Sequence, residues 1–235
     1  MEKGNNPPKV QVLCFLLCIF SASGIRAASY DHLQLVYAWP NTFCLDRNVA
    51  CRSPMPQKFV LHGLWPSDKS GQPLAYCHKT ANISLALSKY EKQLSSSWPS
   101  LRRDLTNMKF WQYQWEKHGT CALSRMKVLG YLQLIITTQR KLDPLMALRA
   151  NNIKPNGSSY HMKSVEDAIR REIKSRNFYV SCQVFKGGPF IKEIYICFDD
   201  IGQKVVSCSI TELRRGCGKG KNLVFPASVS KNVKV

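Results

Sequence analysis

The chain has 235 residues, 44% of them hydrophobic, with 34 lysines and arginines against 15 acidic residues, a formal charge of +19. That length suits one full-sized domain with a packed core, and no internal repeat, low-complexity tract or long linker divides it. The charge favours a polyanionic partner (nucleic acid, anionic lipid or acidic glycan) over a surplus that serves solubility alone.

Residues 1–28 read as a secretory signal peptide. Lys3 and Lys9 flank an apolar run from Val10 to Phe20 that is too short to cross a bilayer, and small residues follow from Ser21 to Ala28. Their removal takes away Lys3, Lys9, Arg26 and Glu2, leaving residues 29–235 as one domain with a charge near +17. No later segment is apolar enough for a membrane span, so a secreted, soluble protein is expected. "YDHLQLVYAWPNTFC" alternates and is rich in aromatic and β-branched residues, which predicts a strand ended by Pro40; "KFVLHGLWP" predicts a second, also closed by proline. Helices are expected over Ser84–Leu94, Asn107–Cys121 and Val128–Leu142. Asp143-Pro144 then suits a new helix start at Leu145, and Ser164 with Asp167 resembles a capping pair before "AIRREIKSR". "FYVSCQVF", "FIKEIYICFD" and "QKVVSCSI" read as an antiparallel meander. Strands early, helices in the middle and strands late give an α+β domain.

Without residues 1–28, which hold Cys14 and Cys18, eight cysteines remain: Cys44, Cys51, Cys77, Cys121, Cys182, Cys197, Cys208 and Cys217. An even number in a secreted chain argues for four disulfides, with the pairing left open, although Cys44 and Cys51 would close a short loop. No C-x-x-C pair or cysteine–histidine cluster points to zinc. The sequons at Asn82 and Asn156 are candidate glycosylation sites on surface loops.

Two histidines stand in similar settings, His62 in "FVLHGLWPS" and His118 in "FWQYQWEKHGTC". On a strand His62 faces away from Leu61, so one is buried while the other is presented. Gly63 permits a close approach, and Trp65 offers a face on which a base could stack. His118 ends a predicted helix, shares a face with Gln114 four residues earlier, and is followed by Gly119, which stops the helix. Lys117 beside it would be costly in a core but useful against a dianionic phosphorus transition state. Taken singly, each segment also fits a structural role. His32, His78 and His161 are read as surface or loop histidines.

"HGLWP" and "KHGTC" together, with "LQLVYAWPNTFC" and the late cysteines, resemble the ribonuclease T-two family over almost the whole of residues 29–235. The resemblance implies a curved antiparallel sheet with flanking helices, and a secreted endoribonuclease that uses no metal or other cofactor. It implies the pairs Cys44–Cys51, Cys77–Cys121, Cys182–Cys217 and Cys197–Cys208. It makes His118 the base and His62 the acid, and points to Gln34, Phe110 and Trp65 near the bases, where Gln34 can bond a base edge and Phe110 can stack. Phe110 and Trp111 also fit a core aromatic pair; Trp111 is read as core, and Phe110 with Tyr113 as substrate-binding. The chemistry is consistent. Cleavage needs a base for the 2′-hydroxyl proton and an acid for the leaving 5′-oxygen, and histidine serves either purpose at mild pH.

One departure stands out. Many relatives carry histidine–glutamate where this chain has Tyr113 and Gln114. Glutamine can bond a phosphoryl oxygen but cannot take a proton, and Glu116 is out of register to replace the carboxylate. Activity is expected to persist on the two histidines and Lys117. The basic balance and the opening strand resemble the pistil self-incompatibility ribonucleases. That implies RNA as substrate, a pollen F-box protein as partner, a monomer in the stylar matrix and uptake into pollen-tube cytoplasm. A secreted salvage or defence ribonuclease is the alternative, as is a lectin-like or storage protein that has lost catalysis. The stretch Arg214, Arg215, Lys219 and Lys221 is either a solvated face or a guide for RNA or an acidic protein.

Overall fold

A computed structural model of the chain describes residue 1 and residues 29–79, 82–140, 142–174, 178–217 and 222–227. The expected signal peptide, Lys219 and Lys221 lie outside them. The described chain is α+β. Its elements in order are β1 (His32–Ala38), α1 (Pro40–Phe43), β2 (Val60–Ser67), α2 (Ser84–Ser88), α3 (Glu91–Ser97), α4 (Asn107–Lys117) and a 3-10 turn, Gly119–Ser124. These are followed by α5 (Val128–Gln139), α6 (Pro144–Arg149), β3 (Ser159–His161), α7 (Met162–Ile173), β4 (Phe178–Phe185), β5 (Gly188–Phe198), α8 (Ile210–Arg214) and β6 (Asn222–Val224). The sheet runs β2-β1-β5-β6-β3, with β4 also on β5, and is antiparallel except for one parallel contact between Phe190 and Val224.

The two faces of this sheet differ. Leu33, Leu35 and Tyr37 of β1 and Ile191, Ile194, Ile196 and Phe198 of β5 enter one large core with Trp98, Trp111, Trp115 and the α5 residues Tyr131 and Ile135. The other face of β1 and β5 carries His32, Gln34, Glu193 and Tyr195, and it is this polar face that borders the histidines. Four disulfides pin the loops: Cys44–Cys51, Cys77–Cys121, Cys182–Cys217 and Cys197–Cys208.

Several boundaries differ from the sequence-based expectation. Pro66 lies inside β2, which is tolerated because β2 is an edge strand. The helix expected over Ser84–Leu94 is two short helices whose main anchors are Leu87 and Leu94. The helix through Cys121 stops at Lys117 and tightens into the 3-10 turn. A Cβ on Gly119 would lie 2.3 Å from the Trp115 ring, so only glycine lets the chain turn so closely and carry Cys121 to Cys77. The helix from Val128 ends at Gln139, and the next begins one residue early, at Pro144, with the Asp143 carboxylate accepting from the Leu145 and Met146 amides. Ser164 and Asp167 form no cap: His161 caps α7, and Asp167 instead pairs with Lys163 and Arg170 at 2.6 Å each. "QKVVSCSI" forms no third strand. Its pairing with β5 is an isolated Phe198–Val205 bridge; the Cys197–Cys208 link folds it back and Ser209 caps α8.

Candidate active site

His62 owes its aim to an irregularity. Val36 pairs with Gly63 and Tyr37 with Leu61, so His62 is the extra residue of a β-bulge, a device that redirects a side chain. Leu61 stays in the core while the His62 ring is about one-third exposed (33%). The backbone is held by the Trp98 indole, which donates to the His62 carbonyl at 2.9 Å. Nδ1 lies 2.6 Å from Oε1 of Glu193, whose Oε2 accepts the Tyr195 hydroxyl at 2.7 Å. Burial would raise the Glu193 carboxyl, but hydrogen bonds from His62 and Tyr195 hold it below its usual range.

His118 is placed by α4. Thr106 caps the helix by accepting from the Lys109 amide, and Trp111 and Trp115, one turn apart, are buried in the core. The adjoining face presents Gln114 and, at the C-cap, His118. His118 Nδ1 lies 2.9 Å from the Leu74 carbonyl, which can only accept, so Nδ1 carries the proton and Nε2 holds the lone pair. Burial lowers its pKa to about 4; Lys117 and His62 push the same way, opposed by the Leu74 carbonyl. Above that pH the ring is neutral.

Trp65 joins the two stations. Its ring centroid lies 4.9 Å from each imidazole, edge-on to His62 and stacked on His118, so the two rings cannot be further apart than twice that distance. Its indole N–H donates to Gln114 Oε1 at 3.2 Å, which leaves the amide nitrogen as the free end of Gln114. Gly63 serves this contact rather than a ligand: a Cβ there would come within 2.5 Å of Trp65 Nε1 and 2.8 Å of Gln114 Oε1. Lys117 stands beside His118 with its Nζ 5.7 Å from the centroid of the half-exposed Tyr113 ring. Glu116 is turned away and accepts from Gln112 at 2.8 Å.

A cavity of about 480 Å³ opens beside His62, lined among others by Ala38, Arg102, Phe110, Tyr113 and Gln114. A second, of about 320 Å³, borders Trp65, Lys192, Tyr195 and Arg215. Three residues sit differently from the sequence-based expectation. Trp65 is only 8% exposed and gives a face to His118 rather than to a base. Gln34 is fully buried, its amide nitrogen donating to the Gly71 carbonyl and to Glu212, though its side chain lines the second cavity. His32 is not a surface residue either: it is buried 2.8 Å from Glu212 and ties β1 to α8, while His78 and His161 are exposed. Arg215 bonds the Gly71 carbonyl at 2.9 Å. Asn82 and Asn156 are exposed, each accepting from the serine of its own sequon.

Sequence reasoning missed Leu74, Tyr195 and Glu193. No pattern marks Leu74, because its backbone acts. Glu193 did leave a signal: an acid inside the apolar strand "EIYICF", where a buried charge requires a partner. Among the described residues, no helix is long and apolar enough to cross a membrane.

Residues 30–208 match the model of the Ribonuclease T2 family. Ribonuclease 1 of Arabidopsis thaliana is 30% identical over 207 residues, covering 86% of this chain and 89% of that one. Ribonuclease S-F11 of Nicotiana alata is 31% identical over 201 residues, covering 83% and 98%. The structure of ribonuclease MC1 from bitter gourd seeds superposes with a TM-score of 0.74 at 25% identity, covering 83% of this chain and all of that one. The matched residues contain both histidine segments and their supports, and the chain belongs to the Ribonuclease T2 family of endoribonucleases.

Proposed function

We propose that His62 and His118 cleave RNA as an acid–base pair. His118 Nε2 takes the proton of a ribose 2′-hydroxyl, and the 2′-oxygen attacks the adjacent phosphorus. His62 Nε2 donates its proton to the departing 5′-oxygen, leaving a 2′,3′-cyclic phosphate and a free 5′-hydroxyl. Lys117 and the amide nitrogen of Gln114 face the negative charge that builds on the phosphoryl oxygens. The attack is intramolecular, so holding the phosphate between the two rings supplies much of the rate. The observation that carries this reading is that both imidazoles are bound through Nδ1 and packed on one tryptophan, which leaves both Nε2 atoms for the substrate. Phe110 and Tyr113 line a cavity beside His62 large enough for one base, and are its stacking surfaces. The test is product analysis with a dinucleoside phosphate. A transient 2′,3′-cyclic phosphate, lost in His62→Asn and His118→Asn, supports the assignment; a linear phosphate as first product contradicts it.

In biological role the protein is read as a secreted, glycosylated self-incompatibility ribonuclease acting on pollen-tube RNA. The charge of +19, the two exposed sequon asparagines and the similarity to S-type ribonucleases support this. Transcript confined to the style supports the role, and induction in starved leaves would favour phosphate salvage instead.

A further inference from the structure

The catalytic reading leaves the buried carboxylate beside His62 unused. Glu193 is 5% exposed, lies in the middle of β5, and spends both carboxylate oxygens on side chains: Oε1 on His62 and Oε2 on Tyr195. Its reach depends on register. Glu193 pairs with Ala38 on β1 and with Ser181 on β4, and His62 bulges from β2 on the far side of β1. The carboxylate must therefore cross the intervening strand, and its β1 partner there has only a methyl group. Tyr195, next but one along β5, is itself fixed: its ring stacks on Tyr179 at 4.3 Å and meets Trp65 edge-on at 5.9 Å. A carboxylate buried this deeply would be costly unless both oxygens were satisfied and a cation faced it.

We propose that Glu193, held by Tyr195, is a positioning residue that keeps the His62 ring aimed, Nε2 outward, as the general acid for the leaving 5′-oxygen. The proposal rests on the assignment of His62 as that acid and adds what makes it one. An ionised carboxylate accepts only from Nδ1–H, so it fixes which ring nitrogen faces the substrate and offsets the imidazolium charge before the proton is given up. Among the described residues no carboxylate bonds His118; the Leu74 carbonyl holds its Nδ1, and burial keeps the ring uncharged, as suits a group that must begin as the base. Tyr195 stops the carboxylate from rotating away, since its hydroxyl claims the second oxygen.

The experiment compares a dinucleoside phosphate with a nucleoside 3′-(4-nitrophenyl phosphate), whose phenolate departs with little need of protonation. Glu193→Gln keeps the size of the side chain but removes the charge. Expected is a fall in kcat of about 10- to 100-fold on the dinucleoside phosphate and less than about threefold on the nitrophenyl ester. Tyr195→Phe should show the same substrate dependence at smaller size, which keeps the test open if Glu193→Gln folds poorly. In a His62→Asn background, Glu193→Gln should cost nothing further. Equal losses on both substrates, or none on either, overturn the proposal. If His62→Asn discriminates between the substrates and Glu193→Gln does not, the proposal alone falls. If His62→Asn loses as much on both, the acid assignment falls and the proposal with it.

Discussion

The two histidines of the cleft are bonded alike and surrounded unlike. His62 rises from a bulge on an edge strand, part-exposed, with an ionised carboxylate on its Nδ1. His118 closes a helix, nearly buried, with a neutral carbonyl on its Nδ1 and Lys117 beside it. The same side chain is thus set in two surroundings. Burial and Lys117 hold the His118 ring neutral against the pull of the Leu74 carbonyl, whereas the part-exposed His62 ring has the Glu193 carboxylate against its Nδ1.

The harshest way to break the comparison is to remove either ring. His62→Asn and His118→Asn should each lower kcat about 10²- to 10⁴-fold on a dinucleoside phosphate, measured by release of the nucleoside. Only the His62 variant should recover on a substrate with a good leaving group. Lys117→Ala should lower kcat by about 10²-fold with little change in KM, because its charge matters most in the transition state. A rise in KM with kcat unchanged would assign Lys117 to binding alone.

Stability offers a further contrast. The His118 pKa is about 4 in the folded protein against its ordinary 6.5, so between these pH values the unfolded chain binds the proton and the folded one does not. Stability should therefore fall as pH drops from 6.5 towards 4, by on the order of 3 kcal/mol for this group. Denaturant melts at several pH values, with and without His118→Asn, read this directly; the variant should lose that part of the pH dependence. The smallest effect concerns Gln114. Gln114→Leu leaves the Trp65 N–H without its acceptor and should cost ~1–3 kcal/mol of stability. Gln114→Glu keeps that acceptor and should retain the wild-type Tm, while a large rise in turnover would show that the glutamine holds this site below its possible rate.

Much of this was legible because the informative residues act locally. The pairing of Gln114 with His118 on one helix face follows from their spacing of four. The opposed facing of Leu61 and His62 follows from strand alternation. The residues that escaped are those whose role depends on register across the sheet. Glu193 reaches His62 over an intervening strand, His32 meets Glu212 from the far end of the chain, and the bulge at His62 exists only as a mismatch between β1 and β2. In the sequence Trp65 reads as a base platform, because an aromatic next to a catalytic motif fits stacking; only the approach of α4 shows that His118 occupies that face.

The most direct test of the acid–base account is the pH dependence of kcat/KM for the cleavage step alone. The account expects a bell, with an ascending limb set by His118 near pH 4, where burial has placed it, and a descending limb as the acid loses its proton. A profile that rises or falls monotonically across that range, in protein that stays folded, would contradict it.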